Sequence, residues 1–307
     1  MFKKKCLITG AGGFIGYNLL KFLSSKNINV TGLDNFLVKN SNFQNTTNKK
    51  IINCDILDKK KLNSIIKDYD IIIHLAAIED QKFLLEYPNK AFDINFNGTK
   101  NIVDNLSSNQ LFVYFSTNIV YGNIKKTPLD ETHQTLPNEV YGISKLISEN
   151  YINFTSQYKN YKYCIVRNFN TFGPHQGNNS YIPSLINSAL QKNKFEIWNA
   201  NKIRDLQYID DLCENLLNLI KNQIKTKKNI IVNAASGNSY SAKYIADIIS
   251  KFLKVKYSIK NKNLKNVKKI KKLVNVNKFK KTIKGKYKVS NFKDSLLKTI
   301  NFYKLKK

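Results

Sequence analysis

Tyr141 and Lys145 are the side chains in this sequence best suited to acid–base chemistry. Both lie in residues 139–158, whose apolar periodicity predicts a helix. Residues at positions i and i+4 share one helical face, so the phenol and the ammonium lie one turn apart. A tyrosine has a pKa of about 10 in water and is a poor base at neutral pH. A neighbouring positive charge favours the phenolate, so the pair is a candidate for proton transfer.

A hydroxyl group at the end of a predicted strand strengthens this interpretation. Tyr-x-x-x-Lys by itself also occurs on ordinary surface helices. Here Thr117 follows residues 111–116, a run typical of a buried strand. A hydroxyl at that position can hydrogen-bond both the phenol and a substrate oxygen.

A glycine-rich turn near the N-terminus predicts a phosphate site. Gly10, Gly13 and Gly16 follow a predicted strand at residues 5–9 and open a predicted helix at residues 14–25. Gly10 permits the tight turn, Gly13 lets the backbone approach a pyrophosphate, and Gly16 allows helix and strand to pack closely. The helix N-terminus adds N–H donors and a positive dipole end. This strand–turn–helix context predicts a dinucleotide site, whereas isolated glycines would predict only a loop.

Asp34 indicates which dinucleotide is bound. It ends the second predicted strand and lies close to the offset of about 20 residues expected of the acid that binds the ribose hydroxyls. A carboxylate there repels a 2′-phosphate, so NAD is favoured over NADP. A turn or capping role is the alternative for Asp34, and Lys39 leaves NADP open as a minor option.

Short β-branched runs alternate with helix-period segments over the first two-thirds of the chain. This alternation predicts an α/β protein with a Rossmann-type, doubly wound parallel sheet and helices on both faces. The predicted strands are residues 5–9, 29–34, 51–54, 71–74, 111–116 and 163–167, and the predicted helices are 14–25, 59–67, 91–106 and 139–158.

The pattern changes after Gly173–Pro174, which interrupts regular structure. We predict an NAD-binding domain at residues 1–172 that also receives about 206–235, and a smaller, mostly C-terminal substrate domain at 173–205 and 236–307. This second domain would cover the carboxyl edge of the sheet, where open α/β sheets bind ligands. The elements predicted in this half are helices at 182–191, 210–221, 241–252 and 291–303 and strands at 195–198 and 229–234.

The composition indicates a cytoplasmic protein that uses no metal. The chain has 307 residues, four scattered cysteines and three histidines, without the spacing of a disulfide framework or a zinc site. No apolar run approaches the roughly 20 residues of a membrane helix. The net charge of +30 comes mostly from lysine, and residues 251–288 contain no acid. We interpret this as a solvated basic surface whose field concentrates anionic nucleotides, with nucleic-acid binding a minority interpretation.

Taken together, the motifs resemble the extended short-chain dehydrogenase/reductase family, in its NAD-dependent epimerase/dehydratase branch acting on nucleotide-sugars. They occur in family order and extend to about residue 250. The matching segments are residues 9–16, 74–77, 95–99, 116–122, 128–131, 141–145, 166–174, 204–211 and 233–241.

The resemblance assigns roles to particular positions. It implies that Asn97 supports the active site from a helix, and that helices 91–106 and 139–158 form a homodimer interface. The catalytic residues it implies are Thr117, Tyr141 and Lys145. The cofactor residues are Gly10, Gly13, Phe14, Ile15, Gly16, Asp34, Asn35, Asp55, Ile56, Leu75, Ala76 and Ala77, together with Tyr141 and Lys145. The substrate residues are Thr117, Asn118, Asn170 and Arg204, although Arg204 could instead form a surface ion pair with Asp205.

The implied reaction is transient oxidation of a sugar hydroxyl, most often O4, followed by reduction of the 4-keto intermediate on its other face. Relatives that eliminate water carry Asp-Glu after the catalytic Thr, and relatives that decarboxylate carry a Glu before Val-Tyr-Gly. Asn118 and Ile119 occupy these positions here and cannot titrate. We therefore predict 4-epimerisation of a UDP- or dTDP-hexose. A keto-sugar reductase or 4,6-dehydratase is the alternative enzyme, and a dinucleotide-sensing or nucleic-acid-binding protein is the non-enzyme alternative.

Two departures from the family pattern bear on the substrate. Glu79 and Asp80 replace small or polar residues near the reacting sugar, and would disfavour a uronate if they face the pocket. A second arginine for the nucleotide diphosphate is missing, and Lys268 or Lys269 could substitute only as point charges.

Overall fold

The computed structural model describes residues 3–37, 51–123, 126–260 and 272–306. Lys39, Lys268 and Lys269 lie outside these ranges, so their predicted contacts stay predictions.

A seven-stranded parallel sheet forms the centre of the protein, which confirms the predicted doubly wound architecture. Its strands are β1 (Cys6–Thr9), β2 (Val30–Asp34), β3 (Ile51–Asn53), β4 (Ile71–His74), β5 (Leu111–Thr117), β6 (Lys162–Asn168) and β11 (Ile230–Ala234). They run in the order β11-β6-β5-β4-β1-β2-β3, and every neighbouring pair is parallel. β1, β4 and β5 are buried along their whole length, because helices cover both faces of the sheet.

Successive residues of the central strands enter two different cores. Ile8 and Ile73 point to one face, where α1 (Phe14–Ser25) and α8 (Ile209–Thr226) pack. Their neighbours Leu7 and Ile72 point to the other face, which is covered by α2 (Lys59–Ile66), α5 (Gly98–Asp104) and α6 (Val140–Lys159). The helix that follows the glycine-rich turn and the Tyr–Lys helix therefore pack on opposite faces of the sheet.

The helix predicted at residues 91–106 is interrupted. It consists of α4 (Pro88–Ala91), a π-helical turn (Phe92–Asn97) and α5, and it is preceded by α3 (Gln81–Glu86), which the sequence pattern did not predict. Such π-turns change which side chains face inward, and they are frequent at functional sites.

The remaining elements lie after β6, and several are too short for periodicity to detect. Three small two-stranded pairings join β10 to β7, β12 to β9 and β13 to β8. The strands are β7 (Thr171–Phe172), β8 (Lys194–Ile197), β9 (Ile203–Asp205), β10 (Gln207–Tyr208), β12 (Ser239–Ser241) and β13 (Lys256–Ile259). The helices are α7 (Tyr181–Lys192), α9 (Ala242–Leu253), α10 (Asn277–Thr282) and α11 (Phe292–Leu305). Among the described residues, no helix has the length and apolar character needed to cross a bilayer.

Candidate active site

The glycine-rich turn is held by close backbone approach. Gly10 has φ +71°, and a Cβ on it would lie 2.6 Å from the amide nitrogen of Ala76, which follows β4. A Cβ on Gly16 would lie 2.1 Å from the carbonyl oxygen of Gly10. Gly10 is therefore required for its backbone conformation and for space, and Gly16 is required for space. The turn presents the N-terminus of α1 to the cleft.

Asp34 lies at the end of β2, beside this turn. Its carboxylate accepts hydrogen bonds from the backbone N–H of Gly12 at 2.8 Å and of Phe36 at 2.7 Å. The neighbouring Asn35 donates to the Asp55 carboxylate at 2.9 Å. These bonds fix a carboxylate in the cleft, where its other lone pairs can accept ribose hydroxyls.

A cleft runs from the glycine-rich turn past Asp34. It contains nine of the predicted cofactor residues and six others that the motifs did not single out. The predicted ones are Gly10, Gly13, Asp34, Asn35, Asp55, Ile56, Leu75, Ala76 and Ala77. The others are Gly12, Leu33, Leu37, Cys54, Ile78 and Ile94.

Phe14, Ile15 and Gly16 do not line this cleft. Phe14 and Ile15 pack their side chains against the main core, and Gly16 is buried. All three lie in the first turn of α1, where backbone N–H groups have no helical acceptor and can donate to phosphate. The donors at the helix N-terminus, the sterically required glycines and the fixed carboxylate fit a dinucleotide with an unmodified 2′-hydroxyl.

The catalytic edge, as we name the group Thr117, Tyr141 and Lys145, lies at the carboxyl end of β5 and on the first turns of α6. The Thr117 hydroxyl accepts the N–H of Ile119 at 3.2 Å and caps a 3-10 turn (Asn118–Tyr121). A Cβ on Gly142 would lie 2.8 Å from the Ile119 side chain. The glycine between Tyr141 and Lys145 thus lets α6 approach the turn that carries Thr117.

Burial changes the acid–base properties of the Tyr–Lys pair. Lys145 is 1% exposed, and its Nζ lies 4.3 Å from the ring centroid of Tyr114. Desolvation lowers the pKa of Lys145 to about 7, against the opposing charges of Glu149 and Glu79. Desolvation also raises the pKa of Tyr141 well above its usual value, and Glu79 raises it further. Lys145 is not among the groups that set the phenol pKa here, so the expectation that an ammonium and the nicotinamide ring together favour the phenolate stays a prediction.

The helix residue that supports this site is Asn95, so the expectation for Asn97 was wrong. Asn97 is exposed, and its amide group bonds Asp93 at 3.4 Å. Asn95 is fully buried in the π-turn, where it accepts the N–H of Ile78 at 2.8 Å and donates to the carbonyl of Ile78 at 3.0 Å. Its amide also donates to the Ser144 hydroxyl at 3.1 Å, beside Lys145. The π-turn rotates Asn95 inward, which a regular helical pattern cannot reveal.

Buried polar contacts connect this asparagine to the cofactor side. His74 bonds Thr9 at 2.6 Å and Thr99 at 2.9 Å, and the Thr99 hydroxyl donates to the Asn95 carbonyl at 2.6 Å. Burial, with the Lys145 charge, lowers the pKa of His74 well below its usual value, so the ring is neutral. A continuous hydrogen-bonded chain therefore runs from β1 to α6.

A buried ion pair anchors the far side of α6, and the sequence pattern did not assign it. Arg167 of β6 donates to Glu149 at 2.7 Å, with 6% and 3% of the two side chains exposed. The guanidinium carbon also lies 4.8 Å from the ring centroid of Tyr121. The pair joins β6 to α6, the helix that carries Lys145, and so fixes the position of α6 relative to the sheet.

The predicted substrate residues lie on different elements. Asn118 is half-buried in the 3-10 turn. Asn170 is exposed just after β6 and donates to the carbonyl of Asp205 at 3.2 Å. Arg204 stacks its guanidinium 3.9 Å from the ring centroid of Tyr181. The Asp205 carboxylate instead accepts from Ser236 and Gly237, which excludes it as the ion-pair partner once considered for Arg204.

Within the described ranges, no three His, Cys, Asp or Glu side chains are grouped so that they could hold a metal ion.

Comparison with known proteins identifies the class to which this fold and site belong. The NAD dependent epimerase/dehydratase family matches residues 6–235, and the chain belongs to that family, whose cofactor is NAD.

Individual relatives extend the likeness beyond the matched segment. A protein of Methanocaldococcus jannaschii, named provisionally as a UDP-glucose 4-epimerase, is 33% identical over 79% of this chain and 80% of its own length. The UDP-N-acetyl-alpha-D-glucosaminuronate decarboxylase of Bacillus cytotoxicus is 31% identical over 80% of this chain and 79% of its own. A solved UDP-N-acetylglucosamine 4-epimerase from Methanobrevibacter ruminantium M1 superposes with a TM-score of 0.88 at 25% identity and covers 100% of both chains.

Proposed function

We propose that this protein is an NAD-dependent nucleotide-sugar 4-epimerase that acts on a UDP- or dTDP-hexose. The observation that carries the proposal is the catalytic edge, with Asn118 and Ile119 at the neighbouring positions. Its Tyr141 packs in one apolar cluster with Ile78, which lines the cleft that fits NAD. Neither Asn118 nor Ile119 can titrate. The site thus has the groups that oxidise and re-reduce a carbinol and lacks the pair that eliminates water in related dehydratases.

The side chains divide the proton chemistry among them. NAD, when bound, supplies the reversible hydride acceptor and adds positive charge beside the phenol. Tyr141 removes the proton from the sugar O4 and returns it after the keto sugar has turned its other face. The Thr117 hydroxyl accepts the Ile119 N–H and so has its own proton to donate to the sugar oxygen. Lys145 in its charged form stabilises the phenolate from one helical turn away.

We also propose that residues 173–205 and 236–307 form the substrate domain, with residues 1–172 and about 206–235 forming the cofactor domain. One strand supports this division. β11, which lies in the segment of about 206–235, pairs with β6 in the main sheet, so this segment belongs with the cofactor domain. Arg204 is positioned by its stacking on Tyr181, and we assign it to the substrate diphosphate. We assign Asn170 to the sugar.

The function is tested with a panel of UDP- and dTDP-hexoses, with product stereochemistry followed by NMR and net NADH by absorbance. We expect the 4-epimer to form without net change in NADH. Net consumption of reduced cofactor would instead identify a keto-sugar reductase, and loss of water from the product would identify a dehydratase. Absence of turnover with bound NAD would favour the non-enzyme alternative.

We propose that the protein is a homodimer through α5 and α6. Four large apolar side chains of α6 are exposed at spacings that share one face, and Phe154 and Tyr158 are 55% and 70% exposed. The other two are Ile143 and Ile147. Light scattering on the wild type and on Phe154→Glu tests this proposal. A dimer that the substitution converts to a monomer is expected, and a monomeric wild type would contradict it.

We propose a cytoplasmic location, because all four cysteines are buried free thiols, as is usual in a reducing compartment. Cell fractionation with an antibody against the protein tests this assignment. Recovery with secreted proteins would overturn it.

A further inference from the structure

Glu79 is an exposed carboxylate at a position that the family-based roles left unexplained. It directly follows Ile78, which lines the cofactor cleft and packs in the same apolar cluster as Tyr141. Asn95 bonds both backbone groups of Ile78. On the other side, the Asp80 carboxylate accepts the N–H of Phe83 at 2.8 Å and caps α3. Residue 79 is therefore fixed between two anchored neighbours.

The charge of Glu79 reaches both members of the catalytic pair. It raises the pKa of Tyr141 and that of Lys145, which places the carboxylate within electrostatic range of each. Surrounding protein raises the pKa of Glu79 itself, and Lys145 opposes that rise. The side chain is nevertheless open to solvent. Glu79 therefore presents an exposed carboxylate directly after Ile78 of the cleft.

We propose that Glu79 determines substrate specificity by excluding sugars with a carboxylate beside the reacting carbon, and so restricts the enzyme to neutral hexoses. This inference rests on the proposed function, because the role of Tyr141 fixes the sugar O4 at the catalytic edge. In a hexose, C6 is attached to the carbon next to C4. A uronate therefore places a negative charge in the same part of the cleft as Glu79.

The size of the expected discrimination follows from Coulomb's law. Two like unit charges about 8 Å apart, at an effective dielectric constant of about 20, change a binding ratio by about 30-fold. The positive charge that could offset this repulsion, on Lys145, lies buried against Tyr114.

The test compares UDP-glucose with UDP-glucuronate in the wild type, Glu79→Gln and Asp80→Asn. Glutamine keeps the shape of Glu79 and removes its charge. Asp80→Asn removes the adjacent charge and retains an N-cap residue, so it is the matched control. We expect the wild type to favour UDP-glucose in kcat/KM, and Glu79→Gln to reduce that preference about 30-fold, mainly through faster turnover of UDP-glucuronate. Asp80→Asn should keep the wild-type preference within about threefold, since the Asp80 carboxylate is directed to the Phe83 N–H at the start of α3.

Binding of both nucleotide-sugars to the NAD-loaded proteins, measured by calorimetry, separates this proposal from the proposed function. If no variant epimerises either sugar but Glu79→Gln gains affinity for UDP-glucuronate alone, the epimerase assignment fails and the specificity assignment holds. If the wild type uses both sugars equally, or if Glu79→Gln weakens both equally, the specificity assignment is overturned. Glu79→Ser, read in the same way, replaces the glutamine variant if that variant does not fold.

Discussion

The cofactor cleft and the catalytic edge meet in one protein but are held in different ways. The cleft is fixed mostly by backbone: Gly10 lies against Ala76, and the Gly12 N–H holds Asp34. The catalytic edge is fixed by side chains that come from separate elements, including Thr117 of β5 and Asn95 of the π-turn. The cleft should therefore be sensitive to added volume. The catalytic edge should be sensitive to the loss of single functional groups.

Tyr141→Phe tests whether turnover at the catalytic edge can be lost without loss of NAD binding in the cleft. It removes one hydroxyl at the catalytic edge and adds no volume to the cleft. We expect turnover to fall about a thousandfold, the range typical of a general acid–base group, with NAD affinity retained. Epimerisation assays and fluorescence titration with NADH measure the two effects. Full activity of this variant would disprove the role of Tyr141, and loss of NAD binding would show that the regions are not independent.

Gly10→Ala tests the sensitivity of the cleft to volume. The added methyl group would lie 2.6 Å from the Ala76 nitrogen at a φ of +71°. We expect the free energy of unfolding to fall by about 3 kcal/mol, from backbone strain and overpacking together. Denaturant unfolding measures the loss. Gly177→Ala is the matched control, because nothing lies within 4 Å of its added Cβ, and equal stability of the two variants would contradict the prediction.

Asn95→Ala tests the contact between the two regions. The variant leaves both backbone groups of Ile78 and the Ser144 hydroxyl without their buried partner. We expect kcat to fall about 30-fold, since a displacement of the reacting groups by about 1 Å can cost up to about 100-fold in rate. KM should change little, because Asn95 positions the site and does not bind substrate. Asn97→Ala, on the exposed face, should have wild-type kinetics; a similar loss in both variants would refute the assignment of Asn95.

The pH dependence of stability should identify Lys145 as a buried amine. Its pKa is about 7 in the folded protein, against about 10.4 in an unfolded chain. Between these values the unfolded state binds more protons, so stability rises with pH from about 7 to 10 and is lost as pH falls. The slope from this group is at most about 1.4 kcal/mol per pH unit. Lys145→Met should reduce the measured slope between pH 7 and 9.5, and an unchanged slope would show that the amine is not desolvated.

How far the sequence predicts a site depends on how local its determinants are. The cleft was predictable because Gly10, Gly16 and Asp34 act through neighbours in one strand–turn–helix–strand unit. Their spacing carries the geometry, and the structure places Asp34 against the glycine-rich turn as expected. Asn95 was not predictable in this way. A regular helix gives no reason to prefer it to Asn97, and only the π-turn brings one inward and leaves the other exposed.

By itself, the sequence determined the parallel sheet and NAD as the cofactor, and it singled out the Tyr–Lys pair as the catalytic candidate. These follow from periodicity and from motifs that are contiguous in the chain. Only the tertiary structure decided how Tyr141 and Lys145 titrate and that Glu79 acts on both. The physical reason is that desolvation and Coulomb interactions depend on every group nearby, whichever element supplies it. The Lys145 amine is buried by side chains of strands and turns that no spacing along its own helix reveals.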